Sequence, residues 1–538
     1  MKVSYYLLVI SIMLVYTENH AYAQIYESIN TLKNEWRQAG LDSATSSDKS
    51  NSYFNQVYTL SNSANPGINS RKVDSILTTL ENRPDGEQAE IRFEAGIYEF
   101  DSPIYIKPKH GRIIFSGESK TSTTIIYVGT GKKESLFTLS GHILNSYNVD
   151  SLVSNTNTIQ LKNVRHRIEI GDMVSLGPDR RLQNDTDDVK YNNYNKPMNN
   201  LYYQAKVIKV DGRRITIDSD LSIYKEQLPL DDLTEDKLIL HRIDPVEGVG
   251  IENLTLKSRV DWNIDSSTGN HINILRSTNI KISDIISYKP IQQHVRIWES
   301  SHIEVNNSYF HEAHSYGREG GNGSGYGVSI GRSNHCLVEN NRFRKLRHSI
   351  SLASGSSFNV VGYNFSYQQF SDKMENGEIV ETQLSDINLH GIYPYGNLIE
   401  SNFCDEIKAD QWHSRNGPYN TFLRNKLKRG VLTLENADKA IVIGNEAQLV
   451  TADMSDVYEK YYDKLYVGEW PVNNGIYGLN ELKSYYYDSK PLHIYYSNSS
   501  LPWPSIGPPV EFGKKLHQTI PARLNVYFID NFKSLPVD

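Results

Sequence analysis

Cysteine is almost missing from this chain: two residues, Cys336 and Cys404, among 538. A dense disulfide framework is therefore excluded, and stability has to come from packing and backbone pairing. One bridge between the two is an alternative. However, they stand at −5 and +2 from the nearest anchor asparagine of the repeat described below, so two buried free thiols are expected. Excess positive charge is also missing. A net charge of −7 excludes the basic footprint of a nucleic-acid binder. Beyond the N-terminus no apolar run is long enough to span a bilayer.

The N-terminus itself, "MKVSYYLLVISIMLVYTENHAYA", has a basic start at Lys2, an apolar run over 5–16 and a small-x-small site at Ala21-Tyr22-Ala23. These are the parts of a cleavable signal peptide over 1–23. With no Cys after the site a lipid anchor is not expected, so the mature chain from Gln24 is expected to be secreted or periplasmic. What the chain has in plenty is tyrosine, 36 residues against 15 Phe and 6 Trp. Tyr offers a flat apolar face with a hydroxyl, suited to strands and to sugar-binding surfaces.

Residues 251–447 carry a repeat: "IENLTL", "ISDIIS", "VNNSYF", "VENNRF", "VVGYNFS", "LIESNFC", "FLRNKL" and "VIGNEA". Its anchors are Asn253, Asp284, Asn307, Asn341, Asn364, Asn402, Asn425 and Asn445, spaced by 31, 23, 34, 23, 38, 23 and 20 residues. A unit of 20–23 residues therefore recurs, and the longer gaps hold insertions of roughly 8–15. Each unit has short β-rich runs without helical periodicity. Such a unit cannot bury a face alone, but stacked coils can. The expected fold is all-β: a single-stranded right-handed parallel β-helix with a ladder of anchor asparagines.

Upstream, "VDSILTTLENRPDG" places Val73, Ile76, Leu77 and Leu80 on one helical face, closed by Pro84 and Gly86, as a cap for the first coil. The strands "AEIRFEAGIYEF", "SPIYIKP", "RIIFSGES" and "TTIIYVG" follow. This order, with "FEAGIYEF" and "SGESKTSTTI", resembles the pectate-lyase-like superfamily of parallel β-helix proteins over 71–145 and 246–450. Ala95 stands where that superfamily usually has Pro, and Glu118 where it has Gly. The resemblance implies the fold and carbohydrate-directed activity. It does not single out lyase, hydrolase, epimerase or adhesin.

The expected layout is a signal peptide at 1–23, an N-terminal extension at 24–70, and the helical cap with first coils at 71–145. An inserted small β-domain follows at 146–245, announced by "RIEIGDMVSL" and the hairpin "AKVIKVDGRRITID". The β-helix with its groove loops is expected at 246–450, and a capping or wrapping segment at 451–538.

Alternation along the strands predicts which residues face out. It places His294, Arg296 and Trp298 outside, then Ser329, Arg347 with Ser349 and Ser351, Asp386 with Asn388 and His390, His413 with Arg415, and Glu435. His348 shares the parity of Ile350 and is expected to face inward or lie at the strand's start. Loop-forming insertions, "HSYGREGGNGSGYG", "QQFSDKMENGEIVETQ" and "QWHSRNGPYN", fall in the same region, as walls of a groove.

A groove rich in Arg and His beside aromatics suits an anionic, uronic-acid-containing polysaccharide. β-Elimination needs the carboxylate neutralised, a base for the C5 proton and an acid for the leaving oxygen. His390 or His413 is expected as base, with Arg347, Arg296 or Arg415 neutralising and His348 beside them. His294, Arg296, Trp298, Asn388, Tyr395, Trp412, Arg415 and Glu435 are the expected substrate contacts, with Tyr393 a further ring. No cofactor is demanded. Asp405, Glu406 and Asp410 form an acidic cluster that could take Ca²⁺. "HEAH" at 311–314 is one residue short of a zinc-protease motif.

A glycoside hydrolase on the same groove is the alternative, through Asp386, Asp410 and Glu435. The third reading is a non-catalytic glycan-binding solenoid. The substrate is the expected partner, with no nucleic acid, no membrane span, and a monomeric chain.

Overall fold

The structure is a computed structural model. It describes residues 30–41, 54–84, 86–129, 134–153, 156–179, 197–228, 233–259, 269–317, 323–375, 378–437, 439–451, 466–468, 483–491 and 503. The expected signal peptide and the end of the chain lie outside them.

Successive coils stack in parallel into a β-helix with three faces. A back face runs from Gln56–Leu60 through Ser277–Ser283, Ser301–Asn306, Leu337–Glu339, Val360–Gly362 and Leu398–Glu400 to Tyr466–Gly468. A side face of short strands includes Ile286–Tyr288, Tyr309–His311, Arg342–Arg344 and Phe365–Tyr367. The front face holds Asn270–Leu275, Gln293–Trp298, Tyr326–Gly331, His348–Ala353, Ile387–His390 and Ile407–Asp410. Among the described residues no helix is long and apolar enough to cross a membrane.

The core follows from register. Val295, Val328, Ile350, Ile387, Ile407 and Leu432 stack as one inward column of the front face. Each is almost fully buried, and removing a Val, Ile or Leu side chain from water is worth ~1.5–3 kcal/mol.

Asparagines tie the coils where back face meets side face. Asn341 Nδ2 donates to Asn364 Oδ1 (3.2 Å), Asn364 to Asn402 (3.1 Å), Asn402 to Asn425 (3.0 Å) and Asn425 to Asn445 (2.9 Å). Each also caps a backbone carbonyl of the coil before it, as Asn364 does Val338. The first three expected anchors are displaced by one residue. Asn253, Asp284 and Asn307 have φ of 57°, 52° and 51°; they make the left-handed corner, and Leu254, Ile285 and Ser308 occupy the ladder position. Asn and Asp tolerate a left-handed corner as readily as an Asn amide bridges coils, so one residue type marks two adjacent positions. A second ladder, Asn359–Asn397–Asn420, lies at the opposite edge of the back face.

The capping helix is Pro66–Leu80, longer than the expected cap. Asn65 caps it by accepting from Ile68 N–H, and Val73, Leu77 and Leu80 are buried on the first coils. Six antiparallel strands between His142 and Asp244 close into a barrel. The chain leaves the solenoid for it after the front strand Phe137–Ser140 and returns to the back face at Val246. The barrel is clamped on: Arg332 Nη2 donates to Asn200 Oδ1 (2.8 Å), and Asn334 exchanges two hydrogen bonds with the Gln204 backbone. Gly355 makes this docking possible, since a Cβ there would come 2.0 Å from Asn200 O. Residues 30–36 are helical and wedge into the junction, where Trp36 Nε1 donates to Gly396 O and Glu35 pairs with His335 (2.8 Å). Cys336 and Cys404 are buried and unpaired.

Candidate functional site

The front strands do not alternate all the way along. At the start of His348–Ala353 the amides of Ser349 and Ile350 both donate to Asp386 O, at 2.8 and 3.1 Å. One coil on, the amides of Asp386 and Ile387 both donate to Glu406 O, at 3.0 and 3.4 Å. This is a β-bulge repeated from coil to coil, and two residues in a row then face the same side.

The bulge reverses three expected orientations and, of the two places expected for His348, gives it the one at the strand's start. His294 points inward: its Nδ1 meets Ser287 Oγ (2.6 Å), its Nε2 meets Glu312 O (2.8 Å), and burial pushes its pKa down to about 3. Ser349 and Asp386 also turn inward, both bonded to Ser366 Oγ. Asp386 is fully buried, and its carboxyl is pushed up to about 7 by that burial although the Asp405 and Glu406 amides donate to it. His348 takes the opposite course. It lies on the outer side, edge-on to Tyr326 (4.9 Å between ring centres) and 6.1 Å from the His390 ring.

Around His390 the outer residues converge. Ile387–His390 pairs residue-for-residue with Ile407–Asp410, placing Asp410 beside His390 on the next coil. Asp410 Oδ2 accepts from His390 Nδ1 (2.8 Å) and from Asn388 Nδ2 (2.6 Å), while Oδ1 accepts the Trp412 amide (3.0 Å). Burial alone would raise the Asp410 carboxyl, but His390, the Trp412 amide and Asn388 outweigh it and hold it below the ordinary carboxylate value. His390 Nε2 has no hydrogen-bond partner among the described residues. Two further imidazoles flank this pair. His413 stands edge-on to His390 at 4.6 Å, lowered first by burial and then by His390 and Arg347. His348 Nδ1 donates to Ser385 O (2.7 Å), and its pKa is pushed down to about 3, mainly by burial. Arg347 lies against the Tyr326 ring, 5.8 Å from its centre. Trp412, 82% exposed, stands at the rim.

Other expected residues stand elsewhere. Arg296 and Trp298 face outward three coils away, about 14 Å at ~4.8 Å per coil. The Trp298 ring lies on Gly331, where a Cβ would come within 2.2 Å of it, and the Arg296 and Arg332 guanidinium groups flank it at 4.6 and 5.2 Å. Tyr395 is fully buried against Phe358 in the core shared with the barrel and cannot touch a ligand. Tyr393 donates to Gln227 Oε1, and Arg415 packs over the Tyr393 ring at the same junction. Glu435 faces out but pairs with Lys408 (2.6 Å). The expected acidic cluster is dispersed. Asp410 faces the front, Glu406 pairs with Arg429 (3.0 Å), and Asp405 lies near Lys428. No group of three or more His, Cys, Asp or Glu side chains is placed to hold a metal among the described residues. In "HEAH", His311 pairs with Glu312, and His314 bonds to Ser258 O.

Tyr326 is the site residue that sequence reasoning missed. The run "YGVSIG" carried a signal, a Tyr one step before the Gly-Val that starts the regular alternation, but only the bulge turns it toward His348.

No family model matches the sequence, and no curated protein matches it. Several solved structures are similar. The tailspike protein gp49 of Pseudomonas phage LKA1 is 12% identical, with 71% of each chain covered and a TM-score of 0.41. Endo-xylogalacturonan hydrolase from Aspergillus tubingensis is 7% identical, over 75% of this chain and 97% of that one, TM-score 0.37. The A-module of mannuronan C-5 epimerase AlgE4 from Azotobacter vinelandii is 10% identical, over 73% and 86%, TM-score 0.33. At these identities and scores the likeness assigns neither a family nor an activity.

Proposed function

We propose that this chain is an exported enzyme that cleaves a uronic-acid-containing polysaccharide by β-elimination on the front face. The observation that carries the reading is the Asp410–His390 pair, flanked by the His348 and His413 imidazoles, on both of which Arg347 acts electrostatically. Asp410 accepts the Nδ1 proton of His390, which leaves Nε2 as the basic nitrogen. That nitrogen takes the C5 proton; the C4–O bond breaks, the electron pair becomes the C4=C5 double bond, and the departing oxygen takes a proton from the imidazolium. Asp410 stabilises that imidazolium. His348 and His413, both held below their ordinary value, stay neutral at pH 7 and add no opposing charge. Arg347 is the cation near enough to neutralise the uronate, and Trp412 offers a ring face to a sugar.

Hydrolysis by two carboxyl groups is less well supported. Asp386 faces the core, Asp410 is held by His390, and Glu435 is paired with Lys408. The test is ultraviolet absorbance of unsaturated uronate during incubation with pectate, alginate, glycosaminoglycans and ulvan, with and without EDTA. A rise on one polymer, lost in His390→Ala, is the expected result. New reducing ends without that absorbance would overturn elimination in favour of hydrolysis.

A further inference from the structure

The side face of the solenoid carries an outer strip of rings and cations that takes no part in the arrangement at His390. Its inner residues are fixed by the core, where Phe310 and Phe343 are fully buried. Their neighbours in Thr255–Ser258, Ile286–Tyr288, Tyr309–His311, Arg342–Arg344 and Phe365–Tyr367 therefore alternate outward. Register stacks Lys257, Tyr288, His311, Arg344 and Tyr367 in one column, with Tyr309 and Arg342 in the column beside it. From Lys257 to Tyr367 the strip runs about 19 Å at ~4.8 Å per coil. We infer that it is a binding surface for an acidic glycan chain, separate from the front face. The choice of a glycan among polyanions rests on the reading above; the charge and the rings of the strip do not.

Charge is the first argument. Lys257, Arg342 and Arg344 lie on the strip, and Lys289 and Lys345 make the left-handed corner that follows it, with φ of 49° and 50°. Among the described residues Glu312 is the one carboxylate in ion-pair contact with any of these five cations. It is shared by Lys289 (3.5 Å), Lys345 (3.6 Å) and His311 (2.9 Å). Arg342 makes no ion pair among the described residues. Its Nη2 donates to the Tyr367 hydroxyl (2.5 Å), while Nε and Nη1 have no acceptor there. The strip is thus locally basic in a chain of net charge −7. The carboxylates of an acidic sugar chain supply the missing negative charge.

The rings are the second argument. The Arg342 guanidinium stands 5.5 Å from the Tyr309 ring centre and 4.8 Å from that of Tyr367. Lys257 and Lys289 stand 5.8 and 5.3 Å from the Tyr288 ring centre. Tyr288, Arg342, Arg344 and Tyr367 are partly exposed. The rings hold the cations in place through their π-faces and add apolar surface for the C–H face of a sugar. Nucleic acid fits less well, because the net negative charge of the whole chain opposes so highly charged a polymer.

The test is isothermal titration of full-length His390→Ala protein, which leaves the ligand intact. The probes are the tetramers of galacturonate, guluronate and mannuronate, with cellotetraose as the neutral probe and a short single strand of DNA as the other polyanion. A binding event with at least one acidic tetramer is expected, weakened by salt. It should weaken by about tenfold in Lys289→Gln with Arg344→Gln, and independently in Tyr288→Ala. Matched thermal melts establish that these variants fold. No binding of any acidic tetramer, binding unchanged in both the charge and the ring variants, equal binding of cellotetraose, or tighter binding of the DNA would overturn the inference. A flat elimination assay with this event present would sink the front-face reading and leave the strip standing. Elimination with no event sensitive to the variants would do the reverse.

Discussion

His390 and Asp410 occupy the same position of neighbouring coils, with Nδ1 and Oδ2 2.8 Å apart. They are 20 residues apart, one short coil, so the solenoid's own repeat length sets the pairing and no loop has to carry it. The proposed base and its proposed orienting group thus sit on two hydrogen-bonded strands, and the geometry is as stiff as the sheet.

Removal of the proposed base is expected to lower kcat by about 10²–10⁴-fold, the usual worth of a positioned proton-transfer group. His390→Ala tests this, and Asp410→Asn should lower kcat with little change in KM, because the amide no longer enforces the Nε2-basic tautomer. Steady-state kinetics on the polymer that yields unsaturated product reads both. A variant Asp410→Asn that changes KM alone would remove Asp410 from its orienting role.

Asp386 separates elimination from hydrolysis. It faces the core and accepts from Ser366 and two backbone amides, so Asp386→Asn, which still presents one accepting oxygen, is expected to keep turnover within a few-fold. Asp386→Ala orphans the two amides and should cost about 1–3 kcal/mol of stability per group. Loss of turnover in a folded Asp386→Asn protein would restore a catalytic carboxyl at that position.

The asparagine ladder makes a prediction independent of catalysis. Asn364 bonds to Asn341, Val338 and Asn402. Asn364→Ala takes these bonds from buried partners on the two neighbouring coils, at ~1–3 kcal/mol each before relaxation. A drop in denaturation midpoint is expected; a change under about 0.5 kcal/mol, the level of an ordinary surface substitution, would mean the ladder is ornamental.

Residues 483–487 lie over the back face through two buried carboxyl groups. Tyr487 O–H donates to Glu339, and Ser484 O–H with the Tyr485 amide donates to Glu400. Burial raises both carboxyl groups to about 7, with Glu304 adding to Glu339 and Arg424 offsetting part of the rise at Glu400. A raised carboxyl contributes stability that is complete below its unfolded value of ~4.3 and is lost as pH climbs through its folded value. Buried His294 and His348 act in the other direction on acidification, so the comparison is made between proteins at each pH. Relative to wild type, Glu339→Gln with Glu400→Gln should gain stability from pH 5 to pH 8, by up to ~3 kcal/mol per group. Parallel melting curves across that range would exclude the titration.

The solenoid was legible because its unit is short and its interior is repetitive. Asn341, Asn364, Asn402, Asn425 and Asn445 recur at intervals set by the coil, and five of the eight expected anchors form one continuous ladder. Asn253, Asp284 and Asn307 misled by one position, since the corner and the ladder both favour small polar side chains. The side of the sheet on which His294 and His348 lie was not legible. Alternation predicts facing only while the pleat is unbroken, and two amides sharing one carbonyl break it.

Composition and periodicity alone determine that coils stack, that Val, Ile and Leu point inward, and that Arg and His populate one outer face. These are local properties, repeated in every coil. The tertiary structure decides which outer residues meet. The bulge turns His348 and Tyr326 toward His390, parallel pairing delivers Asp410, and the docked barrel buries Tyr395. Each of these depends on residues from different coils or from the barrel. Their contacts arise from register and docking, which a residue's immediate neighbours in the chain do not encode.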